Sequence, residues 1–431
     1  MTDALRSDLA HLYRRAGFGA TATELDAAET AGYAATVASL VVPSSASDPG
    51  VIGTPVPTFS VPAPLGKAAT ATERKQRNAA DAADARELML WWLDRMVAVA
   101  NPFPEKMTFF WHGHFATAIQ KVKSAALMLR QNELFRRAGL GAFDALDLAV
   151  ARDPAMMIWL DTNQDVAAHP NENFARENME LFTLGYGNYS EDDVRAAARC
   201  YTGWRYNRST DAFVEVARLH DAASKTVLGQ TGNFDGGDVV RILTHSDASH
   251  RWIAARVWSR FAKTDTVGPS LVALTSAYAA KLDVRALLTT MFADPSFLAT
   301  KGELVKQPVE YVVGALRALG LRANDQKYLA VLRNLGQLPF DPPNVGGWPF
   351  DDAWLTTTAS LTRIQFARLV AGKGDISAVG DEAVAQRPDA AARFLGVDGW
   401  GAQTRVALAQ VADDPVALVT LALCAPEYVV N

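Results

Sequence analysis

The sequence predicts a mostly α-helical fold, a large multi-helix globular array with long irregular loops and at most a small β-hairpin. Apolar residues recur at helical spacing along most of the 431 residues. Alternating strand patterns are rare, and the two best ones, at residues 212–218 and 225–229, would pair as one hairpin. A content of 49% hydrophobic and 21% charged residues is typical of a globular protein.

The first 42 residues are predicted to form a group of N-terminal helices. Residues 3–16 have an amphipathic pattern, and Gly17 and Gly19 end that helix. Thr21 and Glu24 have the spacing of a capping box, in which each side chain bonds to the other residue's backbone. A second helix is therefore expected to begin at this point.

An irregular strap or lid is predicted at residues 43–71. The segment contains six prolines among many Ser, Thr, Ala and Gly residues, a composition that disfavours packed secondary structure. It is longer than most connections inside compact domains. Residues 72–431 are expected to form the main helical domain, in one compact unit with residues 1–42.

Helices of the main domain are predicted from apolar periodicity and from Pro or Gly at the helix ends. Pro102 ends the first long helix, and Pro104 suits the first turn of the next one. Helices are expected at residues 72–100, 104–113, 120–137, 141–151, 172–184, 191–202, 236–244, 248–262, 268–280, 284–292, 305–319, 325–334, 357–371, 379–395 and 402–423.

Composition argues against several classes of protein. A net charge of -5 and a pI near 5.9 disfavour a nucleic-acid binder, which needs a strong basic patch. Two cysteines, Cys200 and Cys424, are too few for a disulfide framework or a thiolate metal site. No apolar run is long enough for a transmembrane helix, and no secretion-signal pattern is present. The cytoplasm is therefore the expected compartment by default, although export together with a partner protein would leave no trace in the sequence.

Two histidines in an aromatic segment are the first candidates for chemistry. His112 and His114 lie in a run that is aromatic on nearly all sides, which indicates a buried element. On a continuous helix their rings would point in roughly opposite directions, but Gly113 could end the helix and let them converge. Neutral imidazole is a common ligand of zinc, copper and iron. The alternative is two core histidines that bond to backbone or carboxylate groups.

A predicted helix in the middle of the chain carries the densest set of polar residues. Asn173, Glu177 and Glu180 fall at i, i+4 and i+7, so they form one stripe. Arg176 has the spacing for ion pairs with Glu172 and Glu180, which are typical of an exposed face. Glu177 has no basic residue at that spacing, so it is the carboxylate best placed to serve a site. The stripe fits either a solvated face or a polar site.

Two further segments contain candidate residues. His220 follows a strand-like run and enters a loop, which is a common location for functional side chains. The loop at 336–349 is stiffened by Pro and Gly, and Trp348 is expected to pack the loop rather than to line a pocket. Sequence motifs for phosphate-binding loops, zinc proteases and serine hydrolases are absent from the chain.

Several motifs together resemble the bacterial domain of unknown function 1800 family. Their order matches, and they extend from about residue 9 to 365. The motifs are Arg14-Arg-Ala-Gly-Phe-Gly19, Phe110-Trp-His-Gly-His-Phe115, Ala151-Arg-Asp-Pro-Ala155, Asn171-Glu-Asn-Phe-Ala-Arg-Glu177, Glu180-Leu-Phe-Thr-Leu-Gly185, Thr202-Gly-Trp204, Lys306 to Glu310 and Pro342-Pro-Asn-Val-Gly-Gly-Trp348.

The resemblance implies a mostly helical protein whose biochemistry is not settled. It also implies a possible partner protein of the sulfatase or alkaline-phosphatase type, and export for many members. Asn178 departs from the motif, because an apolar residue is more usual there. The candidate residues that stand in motif blocks are His112, His114, Asn173, Glu177, Glu180 and His220.

Three hypotheses about function follow. The first is a metal-dependent enzyme, either a non-haem iron oxygenase or oxidase or a zinc hydrolase, acting on a small molecule or polar polymer. The second is a metal-free hydrolase of a polysaccharide or another polar substrate, and the third is a non-catalytic helical partner or scaffold. In the first hypothesis, a divalent iron, zinc or copper ion is held by His112, His114, Glu177 and His220. The catalytic residues would be Glu177, Glu180, Asn173 and Arg176.

Overall fold

The computed structural model describes residues 2–264 and 268–430, and α-helices make up most of them. This confirms the predicted mostly α-helical class. The helices are α1 Thr2–Ala16, α2 Ala22–Ala31, α3 Tyr33–Leu40, α4 Pro49–Gly53, α5 Ala71–Ala98, α6 Phe103–His114, α7 Ile119–Val122, α8 Ala125–Ala138, α9 Phe143–Ala151, α10 Pro154–Trp159, α11 Glu172–Glu177, α12 Glu191–Tyr201, α13 Gly236–Thr244, α14 Asp247–Phe261, α15 Pro269–Ala279, α16 Val284–Ala293, α17 Pro295–Leu298, α18 Pro308–Ala318, α19 Gln326–Leu335, α20 Thr357–Ala371, α21 Ser377–Gly380, α22 Arg387–Leu395, α23 Ala402–Gln410, α24 Pro415–Cys424 and α25 Pro426–Val429.

The strands form two small antiparallel sheets within the described residues. The predicted pairing of 212–218 with 225–229 is wrong, because each segment pairs with its own neighbour along the chain. Leu228 and Gly229 have positive φ angles of 46° and 76°, which a tight two-residue hairpin turn requires. The sheets pair β1 Trp204–Asn207 with β2 Ala212–Glu215, and β3 Lys225–Val227 with β4 Gln230–Gly232.

Helix α6 lies at the centre of the hydrophobic core. All of its residues except Gly113 are buried. Phe103 contacts the rings of Phe261 in α14 and Phe292 in α16, and Phe109 packs against Trp92 of α5. A side chain that projects from α6 is therefore packed between helices that are distant from it in the sequence.

The predicted strap is docked on the end of α5. Its only helix among the described residues is α4, where Gly50 packs so closely on the backbone of Ala98 that a Cβ atom would lie 2.1 Å from the carbonyl oxygen. Asp48 accepts hydrogen bonds from the backbone amides of Ala100 and Asn101. The strap is irregular from Pro55 to Ala69.

The helix predicted at 172–184 changes type part-way along. After α11, residues Asn178–Thr183 form a π-helix, in which the amide of Leu184 bonds to the carbonyl of Met179 five residues earlier. The wider turn means that the angular spacing of an α-helix does not apply beyond Glu177. No helix among the described residues is long and apolar enough to cross a membrane.

Candidate functional site

The two predicted histidine ligands point to different partners. The ring of His112 accepts a hydrogen bond at Nε2 from the backbone amide of Phe340, at 2.9 Å. The ring of His114 donates from Nε2 to the carbonyl oxygen of Phe182 in the π-helix, also at 2.9 Å. Burial lowers the pKa of both rings to about 3, so both are neutral. The expected convergence of the two rings is not observed.

The reason is that α6 continues through Gly113. Two residues apart on one helix, the rings of His112 and His114 project to different sides. Close packing here requires the glycine at 347 rather than the one at 113, because a Cβ on Gly347 would lie 2.3 Å from the carbonyl oxygen of Gly113. Trp348 is buried, as the loop-packing interpretation predicted.

His114 is the histidine with an unused ring nitrogen. Because Nε2 carries the proton, Nδ1 is a lone-pair acceptor, and it is buried without a hydrogen-bond partner among the described residues. Burial is the main cause of the lowered pKa of His114, and the nearby guanidinium of Arg256 lowers it further. A positive charge at this position opposes a metal cation.

The predicted polar stripe lies at the surface. Asn173 is exposed, and Glu177 and Glu180 are half-buried. Arg176 pairs with Glu172 and Glu191 instead of Glu180. Glu180 lies in the π-helix and accepts a hydrogen bond from the Tyr189 hydroxyl. Burial raises the pKa of Glu177, and the neighbouring Glu180 charge raises it further.

His220 is held at the end of α12, and its Nδ1 donates to the carbonyl oxygen of Thr202 at 3.0 Å. Across residues 2–264 and 268–430, no group of three or more His, Cys, Asp or Glu side chains is arranged to hold a metal ion. The metal site with His112, His114, Glu177 and His220 therefore stays a prediction from the sequence.

A different set of residues converges on a cleft beside α6. The cleft contains about 340 Å³ of empty space, part of which is open to solvent. Its charged lining comes from α1, α6, α14, α18 and the loop before α20, and Phe350 at its edge is 38% exposed. The charged and polar lining residues are Arg15, Lys106, Ser259, Arg260, Gln307, Glu310 and Asp351.

Positive charge is in excess around this cleft, which we call the cationic cleft. Five cationic side chains here are at most 9% exposed. Three carboxylates act on these cations, those of Glu310, Asp351 and Asp398, and of these only Glu310 is buried. Arg15, Lys106 and Arg260 line the cleft, whereas Arg14 and Lys306 are buried beside it and do not line it.

Glu310 joins two of the cations directly. Its Oε1 atom contacts both Lys106 Nζ and Arg260 Nη2, while its other oxygen accepts from the backbone amide of Gln307 at 3.1 Å. Burial alone would raise the pKa of this carboxyl, but the charges of Arg260 and Lys106 hold it at about 2. Glu310 is therefore ionised at all ordinary pH values.

Burial is the main reason that Lys106 is less basic than an ordinary lysine. Its Nζ donates to the carbonyl oxygen of Gly17 at 2.8 Å and contacts Glu310. Burial lowers the pKa of Lys106 to about 7, and the charges of Arg260 and Arg15 lower it while Glu310 raises it. At neutral pH the amine is thus divided between its charged and neutral forms, as general bases and nucleophilic lysines require.

The match to a known family spans almost the whole chain. Residues 11–430 match the family described as protein of unknown function (DUF1800). The chain belongs to the DUF1800 family. This confirms the resemblance found in the sequence motifs. No curated protein and no solved structure matches the chain.

The DUF1800 motif blocks contain two of the five charged residues that line the cationic cleft, Arg15 and Glu310, together with the neighbouring cations Arg14 and Lys306. Arg14 and Arg15 open the first block, and Lys306, Gln307 and Glu310 form the block at the start of α18. Sequence reasoning interpreted those segments as helix ends and missed their shared site. The available signal was an isolated cation in an apolar segment, and Lys106 in its aromatic surroundings is the clearest example.

Proposed function

We propose that this protein binds the oxyanion group of a small molecule, a phosphate, sulfate or carboxylate, in the cationic cleft. The observation that carries the proposal is the imbalance of buried charge in the lining, where three buried cations, Arg15, Lys106 and Arg260, face one buried carboxylate, that of Glu310. Buried charge is costly, and a bound anion would offset part of that cost.

The donors suit an oxyanion better than a halide. Guanidinium groups present several N–H donors in a planar fork that matches carboxylate, sulfate and phosphate oxygens. Arg15 and Arg260 both line the cleft. Low solvent access strengthens each of these charge interactions. Lys106 can then hold or release a proton next to the bound group, which supports acid–base chemistry on the ligand.

Calorimetric titration with phosphate and with sulfate tests the proposal, with chloride at equal ionic strength as the reference. Arg260→Gln should weaken oxyanion binding about tenfold or more, the loss expected for one charged hydrogen bond. Arg251→Gln is the matched control, since Arg251 lies on the same helix and is exposed. The proposal fails if phosphate and sulfate bind no better than chloride, or if the two variants bind alike.

The metal-dependent enzyme inferred from the sequence remains a separate prediction. Elemental analysis of the purified protein for iron, zinc and copper tests it directly, with His114→Ala and Glu177→Ala as variants that should lose the metal. Oxyanion binding and metal binding are measured independently, so either result stands without the other.

A further inference from the structure

A groove beside the strap collects positive charge on a chain whose net charge is -5. The strap forms one wall, and the N-terminal half of α5 and the turn between α7 and α8 form the others. The groove contains about 1060 Å³ of empty space, part of which is open to solvent. We call it the strap groove, and its charged lining consists of Arg74, Arg77, Lys121, Lys123, Arg208 and a single carboxylate, Asp81.

The chain itself does not pair all of these cations. Lys121 contacts Asp161 at 2.8 Å, and Arg77 lies 4.0 Å from Asp81. Lys123 and Arg208 are exposed, and neither makes a hydrogen bond or an ion pair with the described part of the chain. The strap groove therefore offers positive charge to a ligand.

The backbone of Lys123 gives a second reason to look for a role of its charge. Lys123 ends α7 with a positive φ of 52°, a conformation that glycine adopts at lower cost. The turn is held by a backbone bond, from the amide of Lys123 to the carbonyl oxygen of Ile119 at 2.8 Å. The lysine side chain is exposed and takes no part in that turn. What the lysine adds at this position is its ammonium group.

We propose that the strap groove binds an extended acidic peptide segment of a partner protein. The cations match its carboxylates, and an apolar wall formed by Val61, Pro62, Pro64 and Leu65 suits apolar side chains between them. Residues 55–65 make no backbone–backbone hydrogen bond within the described chain. Their carbonyl groups and the N–H groups of the non-proline residues can therefore bond to the main chain of a peptide. This site is separate from the cationic cleft and does not depend on the proposed function.

Two other kinds of polyanion match the lining less well. Single-stranded nucleic acid is held by aromatic side chains on which its bases stack. Among the residues that the structure describes, no aromatic ring lines the strap groove. An anionic polysaccharide presents hydroxyl groups, for which the apolar wall of the strap has no partner. A peptide supplies both carboxylates and apolar side chains.

Fluorescence anisotropy of the full-length protein with a labelled peptide of glutamate, leucine and alanine tests the proposal. One matched peptide has glutamine in place of glutamate, and another has serine in place of leucine. The acidic peptide should bind at least about tenfold more tightly than the glutamine peptide, and added salt should reduce this ratio. Oligothymidylate and oligogalacturonate of equal charge should bind more weakly than the acidic peptide.

Variants of the groove show where the peptide binds. Lys123→Gly removes an unpaired charge and relieves the positive φ, so it should weaken acidic-peptide binding about two- to fivefold without lowering the thermal unfolding midpoint. Arg208→Gln should weaken binding to a similar degree. Arg251→Gln is the matched control, because Arg251 is exposed and does not line the groove. Leu65→Ser should remove the preference for the leucine peptide over the serine peptide.

Several results would overturn the inference. They are equal binding of the acidic and glutamine peptides, wild-type binding by both Lys123→Gly and Arg208→Gln, an equal loss in Arg251→Gln, and tighter binding of oligothymidylate or oligogalacturonate. An unchanged peptide preference in Leu65→Ser would also overturn it. Failure of the cationic cleft to bind oxyanions is a different result, because it is measured with phosphate and with Arg260→Gln.

Discussion

The polar stripe on α11 and the following π-helix and the cationic cleft both contain many ionisable residues. Their charged side chains differ in exposure to solvent. On the stripe, Arg176 finds both carboxylate partners within fifteen positions along the chain, and all three side chains are at least one-third exposed. In the cleft, the charged residues extend from Arg15 to Asp351 and most are buried. Dense charge in a short segment therefore marks a solvated face, whereas isolated cations in apolar segments mark a shared interior site.

The largest expected effect comes from removing the single buried counter-ion of the cleft. Glu310→Gln leaves Lys106 and Arg260 without their carboxylate, and breaking a buried pair in this way costs about 3–5 kcal/mol. Urea denaturation measures the loss. Saturating phosphate should restore part of the stability, since an anion can replace the missing charge.

Glu180→Gln is the matched control on the polar stripe, where the carboxylate is half-buried and bonded to Tyr189. Its effect should be small and should not depend on phosphate. Equal losses in the two variants, or a loss in Glu310→Gln that phosphate leaves unchanged, would contradict the view that the cleft is short of negative charge.

Local signals in the sequence predicted much of the fold. The capping box of Thr21 and Glu24 is present, and Pro308 lies in the first turn of α18. These features depend on residues three or four positions apart, so they can be read without tertiary contacts. The π-helix could not be predicted, because distant donors stabilise it: His114 and Trp252 bond to the carbonyl oxygens of its last turn.

The cleft was hidden for the same reason. The cations that line the cleft lie on three different helices. No short-range spacing in the sequence shows which helices pack against one another. The sequence placed Lys106 in a buried aromatic segment but could not say that Glu310, more than two hundred positions later, would meet it. Without that pairing, nothing in the sequence assigned Lys106 to a functional site. The neighbouring histidines, His112 and His114, were therefore the better candidates for site residues.

The pH dependence of stability gives the next test of the cleft. The pKa of Lys106 is about 7 in the folded protein, below its value of about 10.4 in the unfolded chain. Between these values the unfolded chain binds more protons, so this residue makes stability rise with pH by at most about 1.4 kcal/mol per unit. Lys106→Met should lack this rise when unfolding is followed from about pH 7 to 10. Parallel curves for the variant and the wild type would show that the amine keeps its ordinary basicity.

Asp147 should make stability depend on pH in the opposite direction. It is fully buried and accepts a hydrogen bond from Asn178 of the π-helix at 2.9 Å. Burial raises its pKa to about 7, so between about pH 4 and 7 the folded protein keeps a proton that the unfolded chain has released. Stability from this residue therefore falls as pH rises through that range.

Asp147→Asn mimics the protonated carboxyl and should remove this fall in stability. The stability of the variant relative to the wild type should therefore increase as the pH rises. Asp144→Asn, one helical turn away and only half-buried, serves as the control. Chemical denaturation at about pH 5 and about pH 8 is sufficient, because the two conditions lie on either side of the raised pKa. A constant difference between Asp147→Asn and the wild type would mean that Asp147 is ionised throughout.

The smallest effect is expected on the polar stripe itself. Glu177 is half-buried, and its pKa is raised by burial and by the charge of Glu180. Glu177→Gln removes this repulsion, so stability should change by no more than about 0.5 kcal/mol, in the favourable direction at neutral pH. Phosphate binding should stay at the wild-type level, while Arg260→Gln loses it. If Glu177→Gln weakened phosphate binding as much as Arg260→Gln does, the stripe and the cleft would be parts of one site, and the contrast between solvated and buried charge would have to be abandoned.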